Sequence, residues 1–214
     1  MIESVGACGP RSLSVGLIRN TRQQRRTNVS AFLIPLLAGF GFDAASAFTA
    51  AYCRRWGARR GQLVTAILRN VLGIPLWVIG LGFAVRAPSP ALFTPDLHLL
   101  TAAWLLLALG SAVQMMALVV LRRRAAAPST RDTLARHGLY AHLRHPIYAG
   151  LLLEFPALVL VKPTQTVAIA CALGVAWVFL QAKLEELDLL QRLPPYREYM
   201  AEVPRFLPRL RPRP

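Results

Sequence analysis

The segment Leu97–Leu121, "LHLLTAAWLLLALGSAVQMMALVVL", decides the fold. A helix that crosses about 30 Å of hydrocarbon at 1.5 Å per residue needs roughly 20 apolar residues. This run supplies them, with His98 at its start and no formally charged side chain inside. The same criterion applied outward selects residues 31–53, with Asp43 in the middle, and 63–85, where Arg69 lies near one end and can snorkel to the headgroups. Toward the carboxyl terminus a shorter run, 146–161, contains Glu154 and Pro156, and as a helix it reaches only about 24 Å. Pro163 makes a tight turn, and 164–182 returns. So short a connection forces antiparallel neighbours, a helical hairpin. The expected fold is therefore all-α, an integral membrane protein of about five transmembrane helices, the last two forming that hairpin.

Composition agrees. The chain is 55% hydrophobic and only 16% charged, where soluble domains carry roughly a quarter of charged residues. A net charge of +15 would suggest nucleic acid in a soluble protein. Here the arginines flank apolar blocks, and no basic face is interleaved with stacking aromatics. The expected partner is the anionic lipid surface, with no nucleic acid. Cys8, Cys53 and Cys171 are isolated, so no disulfide framework is implied. Residues 1–30 lack the apolar core of a cleavable signal peptide and read as a polar basic arm. Three spans fill 31–121, a region combining a polar segment with the hairpin fills 122–208, and 209–214 is a basic tail.

The basic runs "RRWGARR" (Arg54 to Arg60) and "RRR" (Arg122 to Arg124) contrast with the 86–96 loop, which holds only Arg86. Arginine bias in short loops places the 54–62 loop, the 122–145 segment and the tail on the cytoplasmic side. Arg19, Arg22, Arg25 and Arg26 pull the amino terminus to that same side. Either 31–53 does not fully cross, or the later loops dominate.

Candidate chemistry gathers in "LARHGLYAHLRHPIYAG", Leu134–Gly150, which holds three of the four histidines. His137, His142 and His145 invite a histidine-ligated metal centre. A di-iron site needs more nitrogen ligands than this chain has, and a mononuclear zinc needs all three to converge around Pro146. No HExxH accompanies them, so no metal ligand is assigned. Pro146 fits the first position of a helix. The unpaired amides of that turn then fall at Ile147, Tyr148 and Ala149, with the positive end of the dipole behind them. Arg144 and His145 stand just ahead, which makes a lip for a carboxylate or phosphate. The ordinary alternative is that these residues contact lipid phosphates and that Tyr140 and Tyr148 are interfacial belt residues.

The last span ends "VFLQAKLEELDLL". Gln181 and Glu185 are four apart and share a helical face, with Glu186 adjacent. The hairpin returns this end to the membrane side of the R-H-P turn, so a positive lip faces a negative one. A ligand with both a carboxylate and positive groups matches both. The competing reading pairs the two glutamates with interfacial arginines or Lys183.

The ordered series G-x-Y-x-x-x-R-H-P-x-Y-x-G, then E-E, then Y-x-x-Y and V-P, over about residues 130–208, resembles the isoprenylcysteine carboxyl methyltransferase family and its bacterial and archaeal membrane relatives. The resemblance implies a membrane methyltransferase that uses S-adenosylmethionine as cofactor and takes a lipophilic small-molecule or lipidated acceptor through a lateral opening. By position, it implies cofactor contacts at Thr133, Leu134, Ala135, Tyr140, His145, Pro146, Ile147, Tyr148 and Glu185, and Arg144 joins them as part of the basic lip. The family's arginine for the acceptor carboxylate falls on Gln181, the expected substrate-binding residue, which supplies no charge. A family histidine falls on Asp132. These two departures leave the methyltransferase reading intact and make a lipophilic amine, thiol or small lipid as plausible an acceptor as a prenylcysteine carboxylate. Glu154 is a candidate base, or a partner for a neighbouring side chain. The alternatives to a methyltransferase are a histidine-ligated membrane metalloenzyme and a non-enzymatic membrane protein that binds lipid headgroups.

Overall fold

The computed structural model describes residues 31–122 and 133–208. The basic arm expected over 1–30, the stretch 123–132 with Asp132, and the tail 209–214 lie outside the described residues. Among the described residues the architecture is all-helical. Its elements are α1 (Ala31–Ser46), α2 (Thr49–Trp56), α3 (Ala58–Arg86), α4 (Leu97–Leu121), α5 (Pro146–Val161), α6 (Gln165–Arg192) and α7 (Tyr196–Glu202). Helices α3, α4 and α6 are long and apolar enough to cross a membrane, and α1 with α2 adds a fourth if that pair, bent by 62°, is one span. Helix α5 is apolar but shorter, at 16 residues.

The bend between α1 and α2 has a local cause. The Ser46 hydroxyl donates to the Asp43 carbonyl at 2.6 Å and the Gln181 amide donates to the same oxygen at 3.1 Å. The following amides of Ala47 and Phe48 bond three residues back, to Ala44 and Ala45, so the last turn tightens and the helix stops. Between α2 and α3 the expected basic loop over 54–62 contracts to a single residue. Gly57, at φ 81°, makes the turn that a side chain would resist, and the arginines on either side are helical.

Helix α3 contains a π-helical segment, Ile67–Gly73. Pro75 follows it and has no N–H to give to the carbonyl four residues back, while the Ile74 amide bonds Arg69 O, five back. Arg69 thus sits within the wide turn, mid-helix. Its side chain points inward, 16% exposed, and the expected snorkelling to headgroups does not occur, because two carboxylates inside the bundle hold it.

Helix α4 starts at Asp96, whose side chain accepts the Leu99 amide at 2.8 Å. It packs tightly on α5. A Cβ at Gly110 would lie 2.7 Å from the Gly150 carbonyl, and one at Gly150 would lie 2.6 Å from the Gly110 carbonyl. Small residues at this crossing let the two backbones touch. The hairpin of α5 and α6 forms as expected, closed by Lys162 to Thr164. Its turn pairs with the loop before α4 through Leu92 N to Pro163 O and Gln165 N to Pro90 O. Helix α6 runs about ten residues beyond the expected end at 182, because "KLEELDLL" is built from strong helix formers. Phe40 stacks on Trp177 at 4.8 Å in the core shared by α1, α3, α5 and α6. Large apolar side chains such as Leu63, Val71, Trp104, Leu105 and Val119 remain exposed on α3 and α4, as on a lipid-facing surface.

Candidate functional site

The carboxyl-terminal end of α6 meets the amino-terminal end of α5, as a hairpin requires, and a cavity of about 510 Å³ opens there. That volume suits a small-molecule ligand. Pro146 begins α5 at N1 with His145 as N-cap. The Ala149 amide is taken by the His145 carbonyl at 2.9 Å. The free first-turn amides are therefore those of Ile147 and Tyr148, and the expectation that Ala149 joins them is corrected: the fourth helical amide already reaches the cap carbonyl.

Of the expected cofactor contacts, Thr133, Leu134, Ala135, Tyr140, Arg144, His145, Ile147, Tyr148 and Glu185 all line the cavity. Pro146 is buried beneath them. Gln181 is fully buried at 0% exposure, and its amide donates to Asp43 O at 3.1 Å and to Glu185 Oε1 at 3.5 Å. It stands behind the wall as a strut between α1 and α6.

Two charge clusters meet at the cavity, the first through Arg144 and His145, with Glu186 and Arg205 behind them, and the second through Asp43, Arg69 and Glu185. In the first, Glu186 has three partners: Arg144 Nη2 at 3.2 Å, His145 Nε2 at 3.1 Å, and the Arg205 guanidinium through Nε at 3.0 Å and through Nη2. With one carboxylate against two guanidiniums and an imidazole, this side stays basic. In the second, Arg69 bonds Glu185 through Nη2 and lies 3.5 Å from Asp43 Oδ1 through Nε. Tyr148 Oη donates to Glu185 Oε1 at 2.7 Å. Two carboxylates against one guanidinium leave this side acidic. The His145 ring lies between the clusters, Nδ1 3.9 Å from Glu185 Oε2, and stacks on Tyr148 at 5.6 Å.

The tail closes over the basic side. Arg144 N donates to Pro204 O at 2.9 Å and His145 N to Arg205 O at 3.0 Å, while Arg144 Nη1 reaches Met200 O at 3.0 Å. Tyr199 Oη donates to Tyr140 O at 2.6 Å. Burial pushes the Tyr199 phenol up to about 12 and raises those of Tyr140 and Tyr196 further. All three line the cavity as neutral hydroxyls. The Y-x-x-Y and V-P elements of the sequence series thus have a structural task, which is to strap the tail across the R-H-P turn.

His137 and His142 are exposed whereas His145 is buried, so the three do not converge. Among the described residues no group of three or more His, Cys, Asp or Glu is arranged to hold a metal ion. Glu154 faces away from the cavity toward α4, accepting from Ser111 Oγ at 2.7 Å. Sequence reading missed Asp43, Arg69, Asp188 and Arg192, all of which line the cavity. For Asp43 and Arg69 the available signal was a charged residue inside an apolar span, which by default marks a functional position; Asp188 and Arg192 lie past the apolar run and carried no such signal.

Residues 99–191 match the model of the isoprenylcysteine carboxyl methyltransferase (ICMT) family. The match covers α4, the R-H-P turn, α5 and nearly all of α6, and it bears out the resemblance read from the motifs. It implies a membrane methyltransferase in general terms. Neither the curated proteins nor the solved structures returned a match.

Proposed function

We propose that this protein transfers a methyl group from S-adenosylmethionine to a lipophilic acceptor. The observation that carries the reading is the division of one cavity into a basic and an acidic side. The cofactor is a zwitterion with an added sulfonium, and it needs both. Its carboxylate fits Arg144 and the Ile147 and Tyr148 amides, where helix dipole and guanidinium act together. Its ammonium fits Glu185. Tyr140, Tyr148, Tyr196 and Tyr199 offer ring faces for a cation. When bound, the cofactor supplies an electrophilic methyl group on a positively charged sulfur.

The chain's own work is positioning. The hairpin fixes one set of contacts, the strapped tail fixes the other, and together they exclude water from the basic side. Holding reactants in line removes most of the entropic barrier, without a covalent intermediate. An apolar wall of Ile74, Trp77, Leu118 and Leu151 continues from the polar end. Helices α3 and α4 face the cavity from two sides without packing along their lengths. That gap supports entry of the acceptor from the lipid. A cytoplasmic mouth is supported by the basic α2–α3 elbow, which docks on the same end of α6 through Asp188 Oδ1 to Ala50 N at 2.6 Å and Arg54 to Gln191 at 2.9 Å. Calorimetry of the detergent-purified protein with S-adenosylhomocysteine tests the reading. One site per chain, weakened by Glu185→Gln, is expected; no binding overturns it.

A further inference from the structure

Asp43 and Arg69 lie outside the segment that matches the family model, yet both face the cavity. The Asp43 side chain is 5% exposed, in the last turn of the apolar helix α1. Its contacts with Ser46 Oγ at 3.3 Å and Arg69 Nε at 3.5 Å both fall on Oδ1. A buried carboxylate with only one oxygen engaged is costly, and such a position is kept where a ligand completes it. Its place is also informative. Asp43 packs against Gly73 at the crossing of α1 and α3, where an added Cβ would come within 2.9 Å of Asp43 Cβ. Ile74, the next residue, begins the apolar wall. Asp43 therefore stands where the polar end of the cavity meets the surface that suits an alkyl or prenyl chain.

The charge at this junction discriminates among acceptors. Arg69 is held between Asp43 and Glu185, so its guanidinium is already matched by two carboxylates. With Glu185 shared between Arg69 and the cofactor's ammonium, Asp43 is the carboxylate left open at the junction, and an acceptor carboxylate brought beside it would meet a like charge at close range in a low-dielectric setting. An ammonium would be drawn in and would fill the open side of Asp43.

Resting on the methyltransferase reading, we infer that the acceptor is a lipophilic amine, and that Asp43 both holds its ammonium headgroup and takes its proton. The balance is simple. An N–H bond breaks with its proton passing to the Asp43 carboxylate, and the freed nitrogen lone pair forms the new N–C bond. The S–C bond breaks with its electron pair returning to sulfur, leaving a methylated ammonium and a neutral thioether. Ser46 and Arg69 are positioning residues, since both act through Asp43.

The test uses the full chain in detergent, saturated with S-adenosylhomocysteine, and three probes of equal chain length: dodecylamine, dodecanethiol and dodecanoate. Calorimetric titration is expected to show dodecylamine binding at least about tenfold more tightly than the other two. Asp43→Asn is expected to erase that preference while S-adenosylhomocysteine affinity stays within about threefold. Equal or tighter binding of the thiol or the carboxylate overturns the inference, as does an Asp43→Asn protein that keeps its preference. If that variant does not fold, the wild-type comparison decides by itself. Transfer of labelled methyl to dodecanoate and not to dodecylamine also overturns it. A wild-type protein that does not bind S-adenosylhomocysteine removes the methyltransferase reading instead, and the amine comparison on the free protein still decides the role of Asp43.

Discussion

Tyr148 donates its hydroxyl to Glu185 Oε1 at 2.7 Å, tying the first turn of α5 to the end of α6 across the hairpin. This bond and the Arg69 ion pair fall on the same carboxylate oxygen, which leaves Oε2 toward His145. Glu185 is thus held in place before any ligand arrives. Tyr148→Phe should cost about 1 kcal/mol of stability, the worth of one hydrogen bond, and weaken S-adenosylhomocysteine binding a few-fold. Thermal melts and calorimetry of the same preparation separate the two effects.

Arg69→Ala should be the most damaging single change in the acidic cluster. It leaves Asp43 and Glu185 buried without their cation, a loss of about 3–5 kcal/mol by analogy with broken buried pairs. The double variant Arg69→Met with Asp43→Leu should recover only the Asp43 share of that stability, because Glu185 still lacks its cation. Melting temperatures of the three proteins check the order.

Glu186 serves the fold more than the ligand. Its three partners, two guanidiniums and an imidazole, come from the R-H-P turn and the tail. Glu186→Gln should therefore release the tail, seen as faster proteolysis after Tyr199. Glu185→Gln should leave the tail protected and lose ligand affinity. Limited proteolysis beside calorimetry distinguishes the adjacent glutamates.

The tyrosines set an alkaline limit. Burial lifts Tyr199 to about 12 from its ordinary 10, and Tyr140 and Tyr196 shift the same way. Folding binds these protons more tightly than the unfolded chain does, so the stability is fully present below about pH 10 and is lost as pH rises through about 12. Tyr199→Phe should lower stability at pH 7 by about 1 kcal/mol and flatten the decline in that window. Equilibrium unfolding at pH 7, 10 and 11 checks the sign.

Gly110 and Gly150 permit the α4–α5 contact. Gly150→Leu should place carbon within the Gly110 carbonyl and the Gln114 side chain, overpacking that costs about 1–3 kcal/mol or more. Loss of monodisperse protein in detergent is the expected readout.

The hairpin was legible because its two apolar runs sit on either side of Pro163, and α4 because its span is free of charge. The positive lip was legible through Pro146, whose place at N1 fixes which amides are free. The reach of α6 past residue 182 was not, since a membrane criterion stops at the first charges while helix propensity does not. The inward turn of Arg69 was hidden for a different reason. Sequence position shows that a long side chain can reach the headgroups, but the π segment before Pro75 and the carboxylates of α1 and α6 decide where it goes. Gln181 was expected to meet the acceptor because the family's arginine falls on its position; the bend of α1 interposes Asp43 and turns the amide into a strut.

The account stands most directly on S-adenosylhomocysteine binding to the purified chain. It predicts one site, with affinity reduced about tenfold or more by either Arg144→Ala or Glu185→Gln, since the two side chains face opposite charges of one ligand. Absence of binding by the wild-type protein, or affinities unchanged in both variants, would contradict it.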